Sequence, residues 1–163
     1  MPYAYYAKLK PKQKAIYRRS DEVAELTLAG ADTFGPLVAE LATALEAEHR
    51  ASIERAAQRL TNAVLGSFKV PSVRVKVLST RPSTSSSELH GLYEFGDAHE
   101  TATVKVWMRT SHHKRVVAFR TFLRTLLHEL CHHLDYRLLR LEDSFHTEGF
   151  FKRESSLFKQ LVA

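Results

Sequence analysis

Cysteine is almost absent from this chain of 163 residues, since Cys131 is the single one. An internal disulfide is therefore excluded. Long apolar runs are missing as well, so the sequence contains no candidate membrane span and no apolar segment of a secretory signal. From these absences we expect a cytoplasmic protein that makes no contact with a membrane.

Acidic residues are absent from the first twenty positions, which carry six lysines and arginines. The net charge of +6 therefore belongs to residues 1–20, because acidic and basic side chains balance in the rest of the chain. Four tyrosines lie among these cations, a composition that can stack on bases and neutralise phosphates. We expect residues 1–20 to be a flexible basic tail, either merely solvated or in contact with DNA. Residues 21–163 are long enough for a single domain.

The rest of the sequence has the ordinary globular proportions of 44% hydrophobic and 26% charged residues. Apolar residues at helical spacing predict a helix from Pro36 to Gly66, with a bend at the polar residues 46–51. Three stretches alternate between apolar and polar residues and are predicted strands: Pro71–Leu78, Leu89–Phe95 and Thr101–Met108. Residues 80–87 are predicted to form a loop, and the last two strands are predicted to form a hairpin across residues 96–99.

The stretch Thr125–Tyr136 reads TLLHELCHHLDY and contains the pattern H-E-x-x-H. A helix turns about 100° per residue, so His132 lies roughly 40° around from His128 and both imidazoles can reach one ion. Glu129 lies about 100° around, where it can touch a metal-bound water without being a ligand. The leucines of this segment fall on the side opposite the histidines, which is typical of a metal site backed by a hydrophobic core.

A catalytic zinc site needs a third protein ligand and one open position. Three residues downstream of the motif are candidates for this ligand: His146, Glu148 and Glu154. Histidine is the commonest zinc ligand, and this favours His146. Asp135 either orients an imidazole from behind or is a solvated charge on the helix.

His146 is followed four positions on by Phe150, and Gly91 and Tyr93 form a glycine-x-tyrosine pattern before the motif. With H-E-x-x-H, these features resemble the SprT-like zinc metallopeptidases, a zincin family, over roughly residues 88–161. Two departures from the family pattern are present. Thr147 stands where the family usually has glycine, and a chain with one cysteine cannot form the zinc ribbon that ends many members.

The resemblance implies an α+β, zincin-like fold with one or two N-terminal helices, a three-stranded, mostly antiparallel sheet, the H-E-x-x-H helix and a C-terminal helix. It implies a metallopeptidase that cleaves protein or peptide substrates. The Zn²⁺ ligands would be His128, His132 and His146, and Glu129 would be the general base. Strand Thr101–Met108 would be the edge that binds the substrate backbone. The alternatives are a non-catalytic zinc-binding module whose basic tail binds nucleic acid, and a metal-free interaction domain.

Overall fold

A computed structural model describes residues 2–80, 91–96, 101–111 and 113–162 of the chain. These residues form five α-helices and three strands: α1 (Pro11–Asp21), α2 (Gly35–Glu46), α3 (Arg50–Ser67), β1 (Arg74–Thr80), β2 (Gly91–Glu94), β3 (Thr103–Arg109), α4 (Phe119–Arg137) and α5 (Glu148–Val162). Two 3₁₀ helices, Ala4–Lys8 and Ala31–Phe34, precede α1 and α2. The α+β class is confirmed. Most of the loop predicted at residues 80–87 and of the hairpin connection at residues 96–99 lies outside the described residues.

The long helix predicted after Pro36 is two helices, α2 and α3, separated at the polar residues 46–51 as predicted. Pro36 lies in the first turn of α2, where a missing N–H leaves no hydrogen bond unmade. Glu48 separates the two helices, because its φ of 54° is left-handed. The side chain of His49 then caps α3 by accepting a hydrogen bond from the Ser52 amide.

The three predicted strands form one sheet in the order β1-β3-β2. β1 runs parallel to β3, with Val75 opposite Val104, whereas β2 runs antiparallel to β3, with Tyr93 opposite Val104. The expectation of a mostly antiparallel sheet is therefore wrong, because the sheet is mixed. A period-two pattern shows which face of a strand is buried but not the direction of its neighbour, so it could not distinguish the two pairings.

Strand β3 lies in the centre of the sheet, since it hydrogen-bonds to β1 on one side and to β2 on the other. The prediction that Thr101–Met108 is a substrate-binding edge is therefore wrong. In the described part of the chain β2 pairs on one side alone, so β2 is the edge that lies against α4. The predicted hairpin correctly placed β2 beside β3, but nothing in the pattern placed β1 on the far side of β3.

One buried cluster joins the sheet to helices α2 to α5. The alternating valines of β1 and β3 point into it, and α4 adds its leucine side: Leu123, Leu126, Leu127, Leu130 and Leu134. This packing fixes the rotation of α4, so the opposite face, which carries His128 and His132, points away from the core. In the part of the chain that the structure describes, no helix combines the length and the apolar character that a bilayer span requires.

The first twenty residues, which were expected to be a flexible tail, contain the 3₁₀ helix Ala4–Lys8 and most of α1. Near the end of α1, Tyr17 and Ser20 are buried, with exposed fractions of 1% and 0%. The ring of Tyr17 contacts those of Tyr5 and Phe145, with centroids 5.6 and 6.3 Å apart. This stretch therefore packs onto the body through buried side chains, while most of its cations stay exposed.

Candidate metal centre

Three histidines meet at one point next to the sheet. His128 and His132 project from the same face of α4, and His146 comes from the segment between α4 and α5. One ring nitrogen of each lies within 4.8 Å of the others, and the Nε2 atoms of His132 and His146 are 3.0 Å apart. The structure therefore brings together the three residues that were predicted as metal ligands.

The geometry of these nitrogens fits a zinc ion. Zinc–nitrogen bonds of about 2.0–2.1 Å in a tetrahedron place two ligand nitrogens about 3.3 Å apart, close to the 3.0 Å between the Nε2 atoms of His132 and His146. Two neutral imidazole nitrogens at that distance can share a single proton, whereas a cation accepts the lone pairs of both. The histidines also line a cavity of about 360 Å³ together with Glu129, which leaves room for a fourth ligand. Three histidines with an open position are the donor set of a catalytic zinc site.

Glu154 on α5 holds the first histidine from behind. Its Oε1 atom lies 2.7 Å from Nδ1 of His128. A carboxylate accepts hydrogen bonds, so Nδ1 carries the proton and Nε2 keeps its lone pair for the cluster. Burial lowers the pKa of His128, but the hydrogen bond to Glu154 and the nearby carboxylates raise it above its usual value overall. Among the described residues, neither Glu154 nor Glu148 belongs to the metal-binding group, which leaves His146 as the third member.

A hydrogen-bonded chain holds the second histidine. Nδ1 of His132 lies 2.7 Å from Oγ of Ser144, and this hydroxyl donates to Oδ2 of Asp135 at 2.7 Å. Because the hydroxyl proton of Ser144 is given to Asp135, its oxygen accepts the Nδ1 proton of His132, which again frees Nε2. Asp135 is fully buried and ion-paired to Arg153 at 3.0 Å. Of its two predicted roles, the structure shows the orienting one, through Ser144 rather than by direct contact.

The third histidine is positioned by residues from the start of the chain. The hydroxyl of Tyr5 donates to the His146 carbonyl oxygen at 2.8 Å. The next residue, Thr147, is fully buried, and its hydroxyl accepts from the Phe150 amide and lies 3.1 Å from the Ser20 hydroxyl. Thr147 therefore acts as a cap at the start of α5. The Phe150 ring packs against all three imidazoles, with centroids 4.8 to 5.2 Å apart.

Glu129 follows His128 directly on α4, and its carboxylate lines the cavity of the three histidines. It is 7% exposed, and burial raises the pKa of this carboxyl to about 7, against the opposing effect of His128. A carboxyl group with a pKa near neutrality can take up and release a proton readily, and Glu129 lies in the cavity where a fourth ligand would bind. Both properties fit the general-base role predicted for Glu129.

The protonation of the other two imidazoles also favours metal binding. Burial, followed by the charges of His128 and His146, lowers the pKa of His132 to about 3. Burial, followed by His128, also lowers the pKa of His146. Both rings are therefore neutral at neutral pH, which is the form that binds metals.

Two neighbours on α4 have structural roles. His133 donates from Nε2 to the Pro71 carbonyl at 2.7 Å and accepts from the Tyr93 hydroxyl at 2.8 Å, so it ties the helix to the sheet. Cys131 is buried, and burial raises the pKa of its thiol well above the usual value, which keeps the thiol protonated and unreactive.

Sequence reasoning missed Ser144, Arg153 and Tyr5. Ser144 lies two residues before His146, but a serine in a polar segment carries no signal of its own. Arg153 is an arginine one turn after Gly149 on an amphipathic helix, where an exposed side chain is the ordinary expectation, yet it is fully buried. Tyr5 was counted among the residues of a tail. The one signal in the sequence was the aromatic ring of Tyr17 among exposed cations, which could have indicated that this segment packs against the body.

Comparisons with protein-family models, with curated proteins and with solved structures found no match to this chain.

Proposed function

We propose that this chain is a zinc-dependent metallopeptidase of the SprT-like type, which hydrolyses peptide bonds in protein or peptide substrates. The observation that carries the proposal is the convergence of three imidazole nitrogens and the Glu129 carboxylate on one cavity. A purely structural zinc site closes its fourth position with another ligand and has no use for a glutamate beside it. The resemblance of residues 88–161 to the SprT-like family supports the same activity.

His128, His132 and His146 would hold a zinc ion, which would supply a Lewis acid and lower the pKa of a water molecule toward neutrality. Glu129 takes the proton of the attacking water on its carboxylate and later gives it to the leaving amine. A pKa near neutrality suits both steps, because such a group exchanges protons readily in either direction. The surrounding burial limits the access of bulk water to this proton.

The substrate backbone is expected to lie along β2. An edge strand presents unpaired N–H and C=O groups, so an extended peptide can add to it whatever its side chains are. All but the last residue of β2 line the cavity of the histidines. A Cβ atom on Gly91 would lie 2.9 Å from Cγ2 of Thr125, so glycine is what lets this strand lie so close to α4.

Glu129→Gln tests the catalytic assignment. The variant keeps the shape of the side chain but cannot accept a proton, so we expect one bound zinc per chain and a loss of casein hydrolysis of at least about 10²-fold. Glu46→Gln changes an exposed carboxylate at the end of α2 and is the matched control with unchanged activity. Full hydrolysis by zinc-loaded Glu129→Gln would refute the role of Glu129. Absence of hydrolysis by the zinc-loaded wild type would refute the peptidase.

A second candidate function is a zinc-binding module that contacts nucleic acid and does not cleave peptides. The exposed cations of the first twenty residues favour it, since Lys8, Lys10 and Lys12 follow one another at the surface. In that case the metal would only tie α4 to the segment before α5. Replacing the three lysines with glutamate should lower the affinity for duplex DNA and flatten its salt dependence. Unchanged binding would eliminate this candidate.

A further inference from the structure

A second cavity of about 530 Å³ lies beside the metal centre, toward the start of α4. Its volume is in the usual range for small-ligand pockets. His128 and Glu129 form one end of it, and the other end is formed by residues one and two turns earlier on α4 and by residues of α5. The cavity is thus continuous with the site of the proposed chemistry, but the proposed mechanism does not use its far end.

Two arginines dominate the far end. Arg120 and Arg124 are exposed and one turn apart on α4, and both stack on the ring of Phe158, with guanidinium carbons 5.0 and 4.2 Å from its centroid. Like charges at this spacing repel each other and destabilise a helix. Arg124 has a partial counterion in Glu154 at 3.4 Å, which is also committed to His128. Arg120 has no carboxylate partner among the residues that the structure describes.

The remaining wall is apolar. Phe158 is almost fully buried beneath the two guanidinium groups, and Phe151 is 37% exposed and lines the same cavity. A side chain with an aliphatic stem and an anionic tip matches this surface, since its stem can cover the rings while its tip reaches the arginines. A lysine side chain would meet repulsion at the same place.

The distance to the reacting centre sets which part of a substrate can reach the arginines. A helix rises about 1.5 Å per residue, so Arg124 and Arg120 lie about 6 and 12 Å along α4 from His128. An extended peptide advances about 3.3 Å per residue. A carboxylate on a residue one or two positions from the scissile bond can therefore reach this end of the cavity.

We propose that this cavity binds a substrate carboxylate close to the scissile bond, through Arg120 and Arg124 above an apolar floor of Phe151 and Phe158. The inference rests on the proposed peptidase function and names its preferred substrates as acidic near the cleaved bond. The carboxylate comes either from a glutamate side chain or from the C-terminus of the peptide. Both use the same charge-assisted hydrogen bonds to guanidinium.

Binding can be measured without turnover in zinc-loaded Glu129→Gln. The probes are fluorescein-labelled octapeptides of alanine, serine and glycine, amidated at the C-terminus, with one glutamate moved through successive positions. Matched peptides carry glutamine or lysine there, and a further peptide lacks the glutamate but has a free C-terminus. We expect the best glutamate peptide, or the free C-terminus, to bind about tenfold more tightly than its neutral counterpart, and lysine to bind most weakly.

The variant Arg120→Glu, built into the same background, should abolish this preference and turn it toward lysine. Arg120→Gln, which keeps a neutral polar side chain, should abolish the preference without reversing it. Arg55→Glu alters an exposed arginine on α3 that does not line the cavity, and should leave the preference intact. Circular dichroism and zinc content show that each variant is folded.

The outcomes separate the two proposals. A glutamate preference in amidated peptides identifies a side-chain carboxylate, and a preference confined to the free C-terminus identifies the terminal one. Equal binding of glutamate, glutamine and free C-terminal peptides, or an unchanged preference in folded Arg120→Glu, overturns the inference even if the wild type cleaves casein. If the wild type binds acidic peptides but cleaves nothing, the cavity assignment survives and the peptidase assignment fails.

Discussion

Replacing Arg153 with methionine removes one partner of a buried ion pair whose other member, Asp135, supports the proposed metal centre through Ser144. The guanidinium is fully buried between three parts of the chain. It donates to the backbone carbonyls of Ser20 and Val23 and to the Ser20 hydroxyl, which joins α5 to the end of α1. It also donates to Asp135 on α4 at 3.0 Å. Methionine has a similar length and is apolar, so the substitution removes the charge and the donors with little change in volume.

The expected loss of stability follows from what remains behind. Asp135 would stay fully buried with one hydrogen-bond donor and no counterion, and breaking a buried ion pair in this way costs about 3–5 kcal/mol. Replacing both partners, as Asp135→Leu with Arg153→Met, removes the orphaned charge and should recover much of this loss. The recovery stays incomplete, because the Val23 carbonyl loses its donor, at about 1–3 kcal/mol, while the Ser20 carbonyl keeps the hydrogen bond from the Val23 amide. Urea unfolding of the metal-free proteins measures these differences.

Zinc affinity should not recover in the double variant. Without Asp135, Ser144 loses the acceptor that fixes its hydroxyl, so nothing holds the Nδ1 proton of His132 in the tautomer that frees Nε2. Loss of such an outer hydrogen-bond partner lowers metal affinity about 10–100-fold. We therefore expect stability and metal binding to separate. Competition with a zinc chelator measures the affinity.

Arg59→Met is the matched control, because Arg59 forms an exposed ion pair with Glu40 at 2.9 Å. Its loss should cost less than about 1 kcal/mol and leave zinc affinity unchanged. The reasoning fails if Arg153→Met costs no more than this control. It also fails if the double variant binds zinc as tightly as the wild type.

Three further predictions concern the third ligand and the pH. Gly149→Ala should destabilise the protein by about 1–3 kcal/mol, because the new Cβ would lie 2.7 Å from a backbone oxygen of α1. Gly66→Ala on α3 is the control, since its Cβ meets nothing within 4 Å and the variant should be as stable as the wild type or more stable. Urea unfolding measures both. Tyr5→Phe removes the donor to the His146 carbonyl, so it should destabilise the protein by about 0.5–1.5 kcal/mol and lower the zinc affinity that chelator competition measures. Tyr3→Phe is the control, because the Tyr3 hydroxyl makes no hydrogen bond to the described residues. Equal losses in the two variants would contradict this prediction. The apparent zinc affinity should be constant at high pH and should fall as the pH drops below the raised pKa of His128, because the proton competes with the metal for this ring. An affinity that does not change between pH 5.5 and 8 would contradict this prediction.

The sequence predicted best what is local and periodic. The rotation of α4, with leucines in the core and His128 and His132 on the opposite face, follows from 3.6 residues per turn alone. The same holds for the faces of β1 and β3. The break between α2 and α3 was marked by a polar stretch. In each case the determining contacts lie within a few residues along the chain.

The sequence predicted least well what depends on distant partners. The strand order could not be predicted, because no residue in β1 or β3 indicates that β1 pairs with the side of β3 opposite to β2. The residues that hold the imidazoles from behind come from three separate segments: Ser144, Glu154 and, through Arg153, Ser20. A serine or an arginine is common at the surface, so its burial is visible only after the helices have packed.

The N-terminal segment, including α1, holds the part of the chain that carries the third proposed metal ligand, His146. Two ligands belong to one helix and need only that helix to be formed, but His146 lies in a segment whose carbonyl, following threonine and nearby amide all contact the first 21 residues. Docking of the N-terminal segment therefore helps to position His146, and zinc bound at the proposed site would stabilise the docked segment in turn. If so, chelation should loosen α1 as well as the site, and hydrogen exchange at the amides of α1 should accelerate more on zinc removal than exchange at those of α3. Equal changes in the two helices would show that the segment docks without regard to the metal.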